Sequence, residues 1–304
     1  MGIQYLTYGQ IDKKKWDECI ETASNGLIYG YSFYLDSMSK HWDALVLNDY
    51  EAVMPLTWNI KYGIHYLYQP PLTPCLGVFG NQLNTALLND FLQSIPGKFK
   101  YWDFYFNPGN FFQLADFKLY ERVNYVLPLK DNYETISNGF RDNIKRNIKK
   151  SEKLQLIIKK NIETTDIFDL AKEQALNFST FTNSDFEHFN ELYKLLYQKE
   201  QAATYGVYMP SGQLVASAIF LFSHNRAYYI LVGNHPDGKT LGASHALINA
   251  FIKDHAGQNL LLDFEGSDIP SLAFFYSSFG AREEKYSAIR LNRLPALLKW
   301  MKRN

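Results

Sequence analysis

Residues 260–281, LLLDFEGSDIPSLAFFYSSFGA, are the stretch whose reading decides the fold. In the first half Leu260, Leu262 and Phe264 share one side and Leu261, Asp263 and Glu265 the other, which is the period of a strand. Gly266 ends it. Ser267 or Asp268 can cap the following helix, and Pro270 suits its first turn. Leu272, Phe275, Tyr276 and Phe279 then follow helical spacing, and Gly280 closes the helix. A buried strand therefore delivers two carboxylates to its C-terminal end, and the next helix carries a tyrosine nearby. In open α/β sheets, ligands gather at that end of the strands.

Upstream of this stretch the pattern predicts a strand over 154–160, helices over 164–177 and 185–201, and strands over 204–209, 214–222 and 226–234. A loop over 235–240 and a helix over 241–256 complete the approach. Downstream come a strand over 285–292 and a tail helix over 294–302. The order β-α-α-β-β-β-α-β-α-β is an α/β fold with a mixed sheet. A strand over 123–129 leads into it. Before that, residues 1–122 read as a smaller α+β unit with helices over 11–23, 32–41 and 87–95, a hairpin over 44–56 and strands over 63–68 and 101–106. No catalytic constellation is visible in that unit. The expected division is therefore 1–122 and 123–304.

The totals exclude several classes. Lys plus Arg and Asp plus Glu are both 31, so no global charge draws the chain to DNA or a membrane. Two cysteines, Cys19 and Cys75, make neither a disulfide framework nor a thiol metal site and fit a reducing compartment. No apolar run approaches the roughly 18 residues that span a bilayer. A cytoplasmic protein without integral membrane association is expected. The seven histidines include no H-E-x-x-H, and no G-x-S-x-G, Cys-His set or P-loop is present, so no metal is expected.

The run Ala273, Phe275-Tyr276, Phe279-Gly280-Ala281 resembles the A-x-x-(L/F)-Y-x-x-x-G-F pattern of GNAT-type N-acyltransferases. The element order resembles the GNAT fold over about 150 residues. The smaller unit upstream, with the basic segment FRDNIKRNIKKSEK (140–153) between, further resembles the Fem-type (FemABX-like) branch, whose members carry two GNAT-like units in tandem. In that segment Phe140, Ile144 and Ile148 recur every four residues, and Arg141, Lys145, Arg146, Lys149, Lys150 and Lys153 fill the rest. This is either a solvated helix face or a contact for a polyanion.

The resemblance implies an acyl-CoA donor, acetyl-CoA or another, gripped at the place of (R/Q)-x-x-G-x-(G/A). Here Asp237 and Thr240 stand where that pattern has R/Q and its first glycine, and Gly242 matches its last position. Gly238, Lys239, Thr240, Leu241, Gly242 and Ala243 are the expected anion site, with two glycines for close backbone approach, a cation, and the free amides of a helix start. Fem-type enzymes depart from the same pattern and take their acyl group from aminoacyl-tRNA. The acceptor implied is an amine on a small molecule or a peptidoglycan precursor.

For acyl transfer to an amine, Glu265 is the expected base, with partial burial raising its pKa, and Asp263 its substitute. Tyr276 is the expected acid, as the resemblance implies. An N–H near Val232 or Gly233 is expected to hold the carbonyl oxygen. For the carboxylates the alternative is capping or ion pairing, and for Tyr276 it is core packing. A binding protein that keeps the fold without activity is the alternative to an enzyme.

Overall fold

The computed structural model describes residues 2–175, 182–266 and 268–294. The backbone divides into two compact units, Met1–Arg122 with Lys285–Asn304, and Val123–Glu284. The first unit contains β1 (Ile3–Leu6), α1 (Lys13–Thr22), α2 (Ser32–Met38), β2 (His41–Leu47), β3 (Ala52–Lys61), β4 (Ile64–Tyr68), β5 (Phe79–Gly80), α3 (Thr85–Gln93) and β6 (Phe99–Tyr105). Asp12 caps α1 by accepting from the Lys14 and Lys15 amides, and Asn84 caps α3 through Leu87. The apolar faces of β3, β6 and α3 close one core around Leu56, Phe91, Trp102 and Phe106.

The chain enters the second unit within β7 (Leu119–Pro128). There follow α4 (Tyr133–Asn138), α5 (Asp142–Lys153), β8 (Ile157–Lys160), α6 (Thr164–Ala175), α7 (Asn183–Gln198), β9 (Ala202–Tyr208), β10 (Leu214–Ser223), β11 (Arg226–Asn234), α8 (Pro236–Leu241), α9 (Ala243–His255), β12 (Leu261–Asp263) and α10 (Pro270–Ser277). Its sheet runs β7-β12-β11-β10-β9-β8. Only β12 and β11 are parallel; the other neighbours are antiparallel. Helix α9 presses Phe251 flat on Phe220 of β10, with 3.8 Å between ring centroids, and Leu247, Ile248 and Ile252 complete that core.

Four expectations are corrected. Residues 235–240 are not a loop: Pro236 opens α8, and the His235 ring nitrogen accepts from the Asp237 amide at 3.2 Å. The next helix accordingly starts at Ala243 rather than Leu241, because Gly242 turns left-handed at φ +75° and separates the two. Leu154 caps α5 instead of opening a strand, and β8 begins at Ile157. Finally, β13 (Arg282–Asn292) does not stay with the second unit. Its residues Ala288–Asn292 pair with Tyr105–Tyr101 of β6, and from Lys285 the chain belongs to the first unit. Apolar alternation identifies a strand but not the neighbour it pairs with. The tail helix expected over 294–302 lies, after Leu294, outside the described residues, as do 176 and 177 of the helix expected over 164–177.

Gly242 shows why that position is glycine. Beyond its positive φ, a Cβ would stand 2.7 Å from the Asn147 carbonyl oxygen of α5. Gly212, at φ +89°, has nothing within 4 Å of the same point. Gly212→Ala should therefore cost about 1–2 kcal/mol, the left-handed penalty alone, and Gly242→Ala about 3 kcal/mol or more once the clash is added. Urea unfolding followed by circular dichroism measures both. Equal midpoints for the two variants would mean that α5 does not press on Gly242.

Candidate active site

The end of β12 is fixed by one carboxylate. Asp263 is 5% exposed and is the last residue of the strand. Its Oδ2 accepts from Arg226 Nη1 at 2.6 Å, and its Oδ1 accepts from the Asn124 side-chain amide at 2.8 Å and from the Glu265 backbone N–H at 2.9 Å. Arg226 also makes a two-pronged pair with Glu284, at 2.8 and 2.9 Å. Burial works against the Arg226 charge, but Asp263 and Glu284 more than restore it, so its pKa lies above the ordinary arginine range. The Asp263 carboxylate is thus committed to an ion pair and a turn.

That turn places Glu265. Because its N–H bonds back to Asp263, Glu265 leaves the strand with φ +65°, and Gly266 follows at φ +82°. The Gly266 amide donates to the Asn124 side-chain oxygen at 2.5 Å. A left-handed non-glycine residue costs about 1–2 kcal/mol and persists only where its surroundings over-determine it. The alternation seen in the sequence, with Asp263 and Glu265 on one side, therefore stops at Asp263.

Tyr276 lies beside it. The residue is 8% exposed and sits in α10 with its ring stacked on Phe264, centroids 4.6 Å apart at 19°. Burial pushes the phenol up to about 12, and the nearby Glu265 carboxylate adds to the shift. Tyr229, fully buried in β11, is raised well above its ordinary value by burial and by its neighbour Tyr276. His245, in the first turn of α9, packs edge-on to Phe275 at 4.9 Å, and burial pushes its pKa down to about 4. It is a neutral imidazole at neutral pH.

Strands β11 and β12 pair only from Arg226–Leu261 to Tyr228–Asp263. Beyond Tyr228, β11 continues to Asn234 with β10 as its partner, so the two parallel strands part at the level of Glu265. Val232 packs against the core cluster that contains Tyr276, and Gly233 is buried where α6 approaches closely: a Cβ would meet Ala171 N at 3.0 Å.

The glycines of the expected anion site are occupied by protein. The Gly238 amide donates to the His235 carbonyl at 2.9 Å, and the Gly242 amide to the Gly238 carbonyl. A Cβ at Gly238 would lie 2.2 Å from the Val215 carbonyl oxygen, just as one at Gly242 meets that of Asn147. Both close approaches are made by carbonyl oxygens, which repel an anion. Gly238 and Gly242 therefore do not fit a coenzyme A pyrophosphate in the expected role. Thr240 is exposed with its hydroxyl on the Asp237 carbonyl, Leu241 ends α8, and Ala243 is fully buried. The Lys239 side chain and Ser267 lie outside the described residues. Among the described residues no group of three His, Cys, Asp or Glu could hold a metal ion, and no helix is long and apolar enough to cross a membrane.

Residues 138–268 match a family model described as an acetyltransferase (GNAT) domain, Acetyltransf_6. The structure of FemX superposes with a TM-score of 0.66 at 12% identity, covering 100% of both chains. This chain has a GNAT-type fold of the FemX-like kind. A conserved protein of unknown function from Bacteroides thetaiotaomicron superposes at 0.59 with 14% identity, over 92% of this chain and 97% of that one. The C-terminal domain of a putative lysylphosphatidylglycerol synthetase from Agrobacterium fabrum does so at 0.56 with 11% identity, over 95% of each. A search of curated protein sequences finds no match. The matched domain and the shared fold support an acyltransferase.

The GNAT-type fold thus carries a network that sequence reasoning missed, Arg226, Asn124 and Glu284 around Asp263. The available signal was Asp263 itself, a charge in a strand whose neighbours are apolar, which requires a buried cation. Asp263→Ala should cost about 3 kcal/mol by leaving Arg226 with one carboxylate and freeing the turn. Asp263→Asn, which keeps an acceptor, should cost less. Urea midpoints compare the two. An unchanged midpoint for the alanine variant would mean that the pair with Arg226 does not hold the strand end.

Proposed function

We propose that this chain is an N-acyltransferase that moves an acyl group from a thioester donor, of which acyl-CoA is the small-molecule form, to an amine acceptor. The observation that carries this reading is a half-buried carboxylate, Glu265, within electrostatic reach of a buried phenol, Tyr276, just past the point where β11 and β12 part. Acyl transfer needs a base for the amine, a donor for the developing oxyanion and an acid for the leaving group. Glu265 takes the amine proton. The backbone of β11 near Val232 and Gly233 polarises the carbonyl. Tyr276 gives its proton to the leaving atom.

The two titrating groups work in sequence. A phenol near 12 is a poor acid for a thiolate, but part of that shift comes from the Glu265 charge. Once Glu265 has accepted the amine proton its charge is gone, and Tyr276 becomes more acidic at the step that needs its proton. Asp263 acts through Glu265, as a positioning residue. Neutral His245 on Phe275 adds no charge to the site.

A second donor, aminoacyl-tRNA, is favoured by one observation: the amides of Gly238 and Gly242 are already bonded within the protein, and the Fem-type resemblance implies that donor. The acceptor amine in either case is carried by a small molecule or a peptidoglycan precursor, as the same resemblance implies. Residues 138–268 supply the acyl-transfer match.

Turnover with acetyl-CoA and with charged tRNA, each against a panel of amines, tests the reading. Tyr276→Phe should lower turnover about 100-fold, and Glu265→Gln by a similar factor. Full turnover by Tyr276→Phe would reduce the tyrosine to packing. The pH behaviour has a definite sign. With a folded phenol near 12 against about 10 unfolded, Tyr276 stabilises the fold below pH 10 and that contribution is lost as pH rises through the folded value. Glu265→Gln removes a raising influence, so the Tyr276 phenol should titrate at lower pH. Tyrosinate absorbance, taken as the difference from Tyr276→Phe, reads this directly; an unmoved titration would separate the two residues.

A further inference from the structure

This chain is neutral overall, yet one helix is strongly basic. Arg141 at the N-cap of α5, with Lys145, Arg146, Lys149, Lys150 and Lys153, are all exposed. At about 100° per residue they cover half the helix circumference, while Ile144, Asn147, Ile148 and Ser151 turn inward on the other half. Among the described residues none of the six basic side chains forms an ion pair with an acidic one. An ordinary solvated helix intersperses partners; this one has only Asp142 and Glu152 at its ends.

The inward half of α5, with Arg141 at its N-cap, lies against the acyl-transfer elements. Asn147 abuts Gly242 at the start of α9. The Arg141 amide donates to the Ser278 carbonyl at 2.9 Å, and its guanidinium sits 5.2 Å from the Phe274 ring of α10, the helix that carries Tyr276. On that helix and its N-cap, Ile269, Leu272 and Phe274 are exposed by 57, 39 and 54%. One end of the basic face thus reaches the exposed Phe274 ring on the helix that carries the proposed acid.

We propose that the acyl group arrives as a thioester on an acidic, helical carrier protein, which docks its carboxylates on α5 and its apolar side chains on Ile269, Leu272 and Phe274. This rests on the acyltransferase reading and names the donor for the same site. It accounts for the protein-filled glycines: a donor held by its carrier needs no nucleotide cradle at Gly238 and Gly242. RNA satisfies the six cations but offers no aliphatic surface to Ile269 and Leu272. In the transfer the thioester C–S bond breaks and the C–N bond of the amide forms. The amine proton passes to Glu265 and the Tyr276 proton to the sulfur; solvent then returns one proton from Glu265 to the Tyr276 oxygen.

The test uses the full chain and four probes: an acetylated bacterial acyl carrier protein, total bacterial tRNA, phosphatidylglycerol vesicles and coenzyme A. Fluorescence anisotropy or calorimetry should give micromolar binding for the carrier, weakened about tenfold or more by Lys145→Glu with Lys149→Glu, and weakened also by Phe274→Ala. Circular dichroism checks that the variants fold. No carrier binding, carrier binding indifferent to both variants, or preference for tRNA or vesicles would each overturn the proposal. Acetyl-pantetheine tests the acyltransferase reading separately. Its turnover without carrier binding sinks only the docking surface, whereas carrier binding with full turnover by Glu265→Gln and Tyr276→Phe sinks only the chemistry.

Discussion

The Asp263 carboxylate is the constraint on which the second unit's site depends. One oxygen holds Arg226; the other holds Asn124 and turns the Glu265 amide away from the sheet. Arg226 in turn holds Glu284 at the start of β13. Groups from β7, β11, β12 and β13 therefore meet at one buried point. Because a buried ion pair is close to break-even against apolar residues of the same volume, what the network contributes is geometry rather than net stability. The geometry it enforces is the early end of β12, and hence the separation of β11 from its parallel neighbour.

That separation explains why Glu265 lies within electrostatic reach of Tyr276. A strand that continued would carry Glu265 outward in extended backbone. The left-handed turn at Glu265 and Gly266 instead leads the chain into α10, which returns Tyr276 onto Phe264. Burial there holds the phenol un-ionised, and the carboxylate beside it makes the phenol's acidity depend on the carboxylate's own protonation. Two groups of this kind belong to one coupled titration rather than to two independent ones.

Much of this was legible in residues 260–281. The period-two strand, the Pro270 start and the apolar stripe with Tyr276 all have local causes, and the structure realises them as β12 and α10. The long basic helix α5 and the three strands β9, β10 and β11 were equally visible from periodicity. Two things were not. The partners of Asp263 come from Asn124, 139 residues away, and Arg226, 37 residues away, and no local pattern encodes such pairs. The route of β13 was hidden for the same reason, since Ala288–Asn292 alternate as any edge or central strand would. The α8 helix was a different failure: Pro236 and Asp237 are a helix-start signal that the glycines after them obscured.

Those glycines show how far a residue type constrains function. A glycine states that something approaches the backbone closely; it does not say what. At Gly238 and Gly242 the approaching atoms are the Val215 and Asn147 carbonyl oxygens, so the same residues that suggested a phosphate cradle are explained by β10 and α5 packing on α8 and its C-cap. The positive charge that an anionic carrier requires is nonetheless nearby, on the outer face of α5, the helix that packs on Gly242. A backbone cradle suits a small phosphate that must be enveloped. A ridge of long, solvated lysines and arginines suits a large acidic surface that arrives from outside and is released again, since such charges govern encounter more than retention.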